Sequence, residues 1–234
     1  MSKYKNIVIL TGAGISAESG IKTFRDHNGL WENHRVEDVA SYEGFLRNPT
    51  LVHEFYNQRR LQLQQGPVPN QAHIELAKFE QQHVGDFFLI TQNVDDLHQR
   101  AGSKNILPMH GELLKARCQQ RGDVLAWADN TTVDMPCPVC QRQGCLRPHI
   151  VWFGEIPLEM NLIQQKLQAC DLFIAIGTSA MVYPAAQFIQ WVRREGRAYT
   201  IEVNLEETPA SDYFHQTVLG KAHIELAKLL PSLV

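Results

Sequence analysis

Gly12 and Gly14 follow the apolar run Asn6–Thr11 in the string Gly12-Ala13-Gly14-Ile15-Ser16-Ala17. In the G-x-G-x-x-G/A pattern, glycines let the backbone turn tightly and approach a pyrophosphate at a helix N-terminus, so the string predicts a phosphate-binding turn. Alone, it reads equally well as a plain turn between a strand and a helix. An ordinary dinucleotide site would next supply a second strand and an acid. Glu32 and Asp38 are present, but no second strand precedes them. The chain runs instead through Gly20-Ile21-Lys22-Thr23-Phe24-Arg25-Asp26, with an aromatic and an arginine set to meet a ligand. The expected use of the nucleotide is therefore something other than hydride transfer.

Three more polar clusters close apolar runs: Thr91-Gln92-Asn93-Val94-Asp95, Gly177-Thr178-Ser179 and Asn204-Leu205-Glu206. Each taken singly is a common cap or turn composition. In open α/β sheets ligands bind beyond the carboxyl ends of the strands, so the three clusters are expected to share one crevice with residues 12–16. Met109-His110-Gly111 follows a short apolar run at 105–108. Histidine, with an unperturbed pKa of about 6.5, is the usual general base near neutral pH. The chain has ten histidines, and periodicity does not single out His110. In the helical stretch Tyr56-Asn57-Gln58-Arg59-Arg60, Tyr56 and Arg59 share a face, and a phenol beside a guanidinium can receive a carboxylate. Arg60 is also reachable one turn on, and a plain surface pair fits the same spacing. Cys137-Pro138-Val139-Cys140 has the spacing of a metal knuckle, with Cys118 upstream.

Such residues need elements to hold them. Strand-like apolar runs bounded by turn residues stand at Asn6–Thr11, Asp86–Thr91, 172–177 and Tyr199–Asn204, between helical spacings at 71–83, 158–169, 184–195 and 221–230. The runs are continuous rather than alternating, as in strands buried on both faces of a parallel sheet, and the pattern predicts a doubly wound α/β core. Two insertions interrupt it: 23–66, with helical stretches and no convincing strand, and 112–148, which holds four of the five cysteines. Together they are expected to form a smaller inserted domain. The string AHIELAK occurs at 72–78 and 222–228 with unmatched flanks, which predicts two similarly built amphipathic helices rather than a duplication.

The chain has 234 residues, 44% of them hydrophobic and 20% charged, with net charge −3, so it is expected to be globular and a poor electrostatic partner for nucleic acid. No apolar run approaches the roughly 20 residues needed to cross a bilayer, and no signal-peptide pattern opens the sequence. A cytoplasmic protein is expected, with cysteines serving as thiols or metal ligands rather than disulfides.

GAGISAESGIKTFR at 12–25, TQNVDDLHQRAG at 91–102, MHGE at 109–112, RPHIVWFGE at 147–155, GTS at 177–179 and NLE at 204–206 together resemble the sirtuins, in that family's order and over nearly the whole chain. The likeness is greatest to the bacterial CobB-type, class III members. It implies an NAD-dependent protein-lysine deacylase with a Rossmann-like doubly wound sheet (1–22, 67–111 and 149–234). A small domain (23–66 and 112–148), made of a helical and a zinc-ribbon-like module, would complete it. His110 would be the general base. Gly12, Ala13, Gly14 and Ser16 would cradle the phosphates, and Asn93 and Asp95 would hold the nicotinamide side, with Gln92 and Trp31 also on the cofactor. Phe24 would cover the reacting carbon and Arg25 lie over the cofactor. Gly177, Thr178, Ser179, Asn204, Leu205, Glu206 and Ala222 would take the adenosine half.

By the same resemblance, Val151, Phe153 and their neighbours would line a cleft where an acylated-lysine peptide adds as a strand, though Trp152 and Phe153 read equally well as core. Tyr56 and Arg59 would receive the carboxylate of succinyl- or malonyl-lysine, with Ala40 leaving room. Zinc would be held by two Cys-x-x-Cys pairs, but the position expected for one ligand is Arg121, so only Cys118, Cys137 and Cys140 are in register and Cys145 is the candidate for the fourth. Cys170 is expected to be a buried structural thiol. Lys22 stands where many sirtuins carry proline. A dehydrogenase and a non-catalytic NAD- or peptide-binding module are the competing readings, and a monomer is expected.

Overall fold

A computed structural model describes residues 3–22 and 30–233. In chain order the strands are β1 (Asn6–Thr11), β2 (Leu30–Trp31), β3 (His34–Arg35), β4 (Asp86–Thr91), β5 (Ile106–Pro108), β6 (Gly111–Cys118), β7 (Val124–Ala126), β8 (Leu146–Ile150), β9 (Leu172–Ile176), β10 (Tyr199–Asn204) and β11 (Gln216–Leu219). The helices are α1 (Val36–Val39), α2 (Tyr42–Arg47), α3 (Pro49–Gln65), α4 (Gln71–Gln82), α5 (Leu97–Ala101), α6 (Met160–Ala169), α7 (Phe188–Glu195) and α8 (Ala222–Leu229).

Six strands form one parallel sheet in the order β11-β10-β9-β1-β4-β5. Counted along the chain within that sheet, this is the doubly wound order 3-2-1-4-5-6, with its switch point between β1 and β9. The central strands are largely apolar because both faces are covered. Ile7 and Ile9 pack with Leu76 and Phe79 of α4 and Leu226 of α8, whereas Val8 and Leu10 pack with Ile163 and Leu167 of α6 and Phe188 and Val192 of α7. Each of these large side chains contributes about 1.5–3 kcal/mol on burial. The repeated string uses its inward leucine alike in both helices: Leu76 and Leu226 are fully buried against the same sheet face. Its outward Glu75–Lys78 and Glu225–Lys228 ion pairs also match.

Helix starts follow from local chemistry. Asn48 caps α3 by accepting from Leu51 N, with Pro49 in the first turn, and Asn70 caps α4 through Ala72 N while His73 reaches back to Asn70 N. The structure adds to or departs from the sequence expectation in several places. Among the described residues no α-helix follows the glycine turn directly; two short 3₁₀ turns, Ala13–Ile15 and Ala17–Ser19, stand there. The run at 172–177 leaves the sheet after Ile176, because Gly177 turns to φ +59. In 23–66 a two-residue hairpin, β2 with β3, stands where no strand was expected. In 112–148 the weakly patterned chain forms an antiparallel sheet, β7-β6-β8, with a register shift in β6.

Candidate functional site

The switch point sets the position of the site. Gly12 N donates to Ile176 O at 3.0 Å and Gly14 N to Gly177 O at 2.9 Å, so the turn after β1 lies directly on the turn after β9. A Cβ on Gly14 would stand 2.7 Å from Gly177 Cα, which is why that crossing tolerates no side chain. These two amides are therefore spent within the protein. Ala13 N, by contrast, has no partner among the described residues and is the open donor of the turn.

A cleft of about 810 Å³ opens above this crossing, between the carboxyl ends of the sheet strands, the long helix α3 and the chain after β8. Its lining includes Gly12, Ala13, Gly14, Trp31, Gln92, Asn93, Asp95, His110, Gly177, Thr178, Ser179, Asn204, Leu205 and Ala222, all expected on the cofactor or as the base. It also includes Ala40, Tyr56, Arg59, Val151 and Phe153. Ser16 is fully buried beneath the lining rather than in it. Glu206 is not among the lining residues, and Phe24 and Arg25 lie outside the described residues.

The residues expected on the nicotinamide side form a buried hydrogen-bonded set. Asn93 Nδ2 donates to Ser16 Oγ at 3.0 Å, Ser16 Oγ donates to Asp95 Oδ2 at 3.0 Å, and Leu97 N donates to Asp95 Oδ1 at 3.1 Å. Burial pushes the Asp95 carboxyl up, and the Leu97 and Ser16 bonds oppose that rise. Beneath it, His73 accepts from Asn70 N through Nδ1, which leaves Nε2–H toward Ser16 Oγ at 3.4 Å. Sequence reasoning missed His73; the only signal was its place three residues after a capping asparagine.

His110 makes a hydrogen bond from Nδ1 to Gln92 O at 3.0 Å. A carbonyl can only accept, so Nδ1 carries the proton and Nε2 is the basic nitrogen of the neutral ring. Burial lowers the pKa of His110, outweighing the Gln92 carbonyl, which keeps the ring in its base form at neutral pH. Gln92 also donates to Thr178 Oγ1 at 2.9 Å, and Asn204 Nδ2 to Thr178 O at 2.8 Å, tying together three strand ends. The second strand of the doubly wound order, β4, ends at Thr91, and the first acid after it, Asp95, is held by Ser16 Oγ and Leu97 N.

The motif at 151–155 divides its two aromatics. Trp152 is buried in the core while touching the cleft, and Phe153 is half exposed on the cleft. Val151 N donates to His110 O and Phe153 N to Ala40 O, both at 2.9 Å, which places the motif between His110 and the end of α1. Of the two arginines on α3, Arg60 turns inward, with Nε on Leu113 O at 3.0 Å and Nη1 on Asn57 Oδ1 at 2.8 Å. Arg59 faces the cleft with Tyr56, and its Nη1 is buried without a partner.

The four cysteines Cys118, Cys137, Cys140 and Cys145 come together with all sulfurs within 4.8 Å of one another. Separations of 3.5–4.0 Å link Cys118, Cys140 and Cys145. Tetrahedral zinc with Zn–S bonds near 2.3 Å requires about 3.8 Å between sulfurs, so this all-thiolate set fits zinc. Cys145 thus completes the set despite its spacing, while Arg121 pairs with Asp123. Cys170 is buried apart from them.

A doubly wound sheet with a ligand cleft at its switch point and a four-cysteine module beside it defines a nucleotide-binding α/β protein of composite build. The family model described as Sir2 family matches residues 12–184, and the chain belongs to that family. Among its relatives, the NAD-dependent protein deacylase of Rhodopirellula baltica is 54% identical over 234 residues, covering 96% of this chain and 97% of that protein. The NAD-dependent protein deacylase SIR2rp3 of Leishmania major is 56% identical over 226 residues, covering 95% and 93%. Similar solved structures include a Sir2 homologue–NAD complex (TM-score 0.89, 36% identity, 99% of this chain and 90% of that one). A Sir2 bound to acetylated peptide matches with TM-score 0.83 and 28% identity over 98% and 94%. Among the described residues no helix is long and apolar enough to cross a membrane.

Proposed function

We propose that the protein is an NAD-dependent protein-lysine deacylase that removes acetyl, succinyl and malonyl groups, releasing nicotinamide and O-acyl-ADP-ribose. The observation that carries this reading is His110 on the cleft wall with Nδ1 fixed as a donor and Nε2 left as a base. Relatives that share more than half of its residues carry the deacylase name. NAD, when bound, supplies an electrophilic ribose carbon and a cationic leaving group. His110 accepts a ribose hydroxyl proton at Nε2. Asn93 and Asp95, locked through Ser16, orient the reacting end, and the open amide of Ala13 offers a phosphate donor. Thr178, Ser179, Asn204, Glu206 and Ala222 serve the adenosine half. The acylated peptide adds along Val151 and Phe153, and Tyr56 and Arg59, with room left by Ala40, take the acyl carboxylate. Residues 23–66 and 112–148 act as the small domain closing the cleft against 1–22, 67–111 and 149–234. We take the protein to work as a cytoplasmic monomer on acylated proteins.

The test is nicotinamide release from NAD with acetyl-lysine and succinyl-lysine peptides in parallel. Release dependent on either peptide supports the deacylase, and His110→Ala should lower turnover by at least about a hundredfold, the usual contribution of a general base, with melting unchanged. A folded, NAD-binding protein that releases no nicotinamide with any peptide would be a binding module instead.

A further inference from the structure

Trp152 is a core residue by burial, yet its indole nitrogen serves a side chain of the cleft. Nε1–H donates to the Tyr56 hydroxyl oxygen at 2.9 Å. An indole N–H can only donate, so the phenol oxygen is the acceptor in this bond and its own proton must find another partner. No described residue supplies one. The Tyr56 ring is fully buried and enclosed by Trp31, Phe55 and Trp152, so the direction left to that proton is the cleft, which Tyr56 helps to line. One turn along α3, Arg59 Nη1 is likewise unpartnered.

The indole itself is clamped. Trp152 N donates to Glu155 Oε2 at 2.8 Å, and Arg147, paired to both oxygens of Glu155 at 2.7 and 2.8 Å, lies with its guanidinium carbon 3.5 Å from the indole ring centroid. Phe45 sits on the indole at 5.2 Å between centroids. We propose that Trp152 is a positioning residue for acyl-chain selectivity: by donating to the Tyr56 oxygen, it turns the phenol proton toward the carboxylate of an acidic acyl chain. This rests on the reading that Tyr56 and Arg59 receive that carboxylate.

Two replacements test it. Trp152→Phe keeps an aromatic ring and removes the N–H; exchange of Trp152 for its benzothiophene analogue keeps ring size as well, so it retains the packing if the phenylalanine variant folds poorly. In both, the ratio of kcat/KM for a succinyl-lysine peptide to that for an acetyl-lysine peptide should fall about tenfold, chiefly through the succinyl KM, as expected for one lost or misdirected hydrogen bond to a charged group. In a Tyr56→Phe background the same replacements should leave the ratio where Tyr56→Phe puts it, because the acceptor is gone. If the unaltered protein fails to turn over the succinyl peptide, the carboxylate pocket and this inference fall together. If it does so, and the benzothiophene exchange leaves the ratio unchanged, or lowers it as much without the Tyr56 hydroxyl, only the inference about Trp152 is overturned.

Discussion

Adjacent arginines on one helix have opposite fates here, and the difference lies in what each guanidinium meets. Arg60 is 1% exposed, with Nε on Leu113 O, Nη1 on Asn57 Oδ1 and Nη2 buried without a partner inside the protein. Arg59 rests its guanidinium 4.7 Å from the Phe55 ring centroid and bonds Gln62 Oε1 through Nε, leaving Nη1 free on the cleft side. Burial lowers the pKa of Arg59, with Glu32 opposing, so a carboxylate arriving there would restore favourable charge pairing. Arg59→Met, which keeps the stem, should reduce kcat/KM for a succinyl peptide by roughly 10–100-fold, the worth of a hydrogen bond between charged groups, while an acetyl peptide loses less than about threefold. Equal losses in paired assays would remove the carboxylate role. Spacing alone could not make this choice, because both i+3 and i+4 positions adjoin Tyr56 on a helix and only the packing of β6 against α3 turns Arg60 inward.

The central strands of the sheet and the helices that cover them were legible in the sequence, whereas the sheet edges and the cysteine module were not. The apolar runs of β1, β4, β9 and β10 announce themselves because nearly every residue after the first is buried. The edge strands β5 and β11 are short and half exposed, with no apolar run long enough to mark β11. In 112–148 the core consists of Cys118, Cys137, Cys145 and Leu146, with a few half-buried neighbours such as Leu125 and Trp127. Thiols stand there in place of a periodic apolar stripe, so neither helical nor strand period is present to be read. Physical dependence on the metal follows. Stripping zinc with a strong chelator should release one equivalent of the ion and remove of order 10 kcal/mol of binding free energy from this module, melting β6–β8. Hydrogen exchange should then show loss of protection across 112–148 with the strands β1, β4 and β9 still protected. Retained protection across the module without metal would make the cysteine cluster a passive core. Cys145→Ser should act in the same direction, since a serine hydroxyl is a poor zinc ligand.

The separate parts are joined by histidines that the fold keeps neutral. His53 on α3 bonds Thr131 Oγ1 at 2.7 Å and thereby ties the helix to the cysteine module; His73 joins α4 to the glycine turn through Ser16; His149 lies in β8 beneath Arg117, Lys115 and Arg147. Burial pushes His53, His73 and His149 down to about 4, with cationic neighbours adding to the fall at His53 and His149. His98, in ring contact with His73, is driven well below its ordinary value by burial. Unfolded, each would take a proton at about 6.5. Between pH 6.5 and 4 the unfolded chain therefore binds more protons than the folded one, and stability must drop as pH falls, by at most about 1.4 kcal/mol per pH unit for each such histidine. Asp95 acts in the opposite sense, because its raised carboxyl favours the protonated folded state at low pH, but one carboxyl stands against five rings, His110 included. Urea unfolding followed at pH 7.5, 6.0 and 5.0 should show a midpoint that is flat above neutrality and falls steeply below pH 6, with the slope m unchanged. His73→Gln, which can still donate an N–H toward Ser16, should lessen that acid slope by close to one proton even if it costs stability at pH 7.5. A midpoint independent of pH between 7.5 and 5.0 would mean that these rings are protonated in the folded protein, and that the junctions between α3, α4 and the two sheets are not the neutral contacts described above.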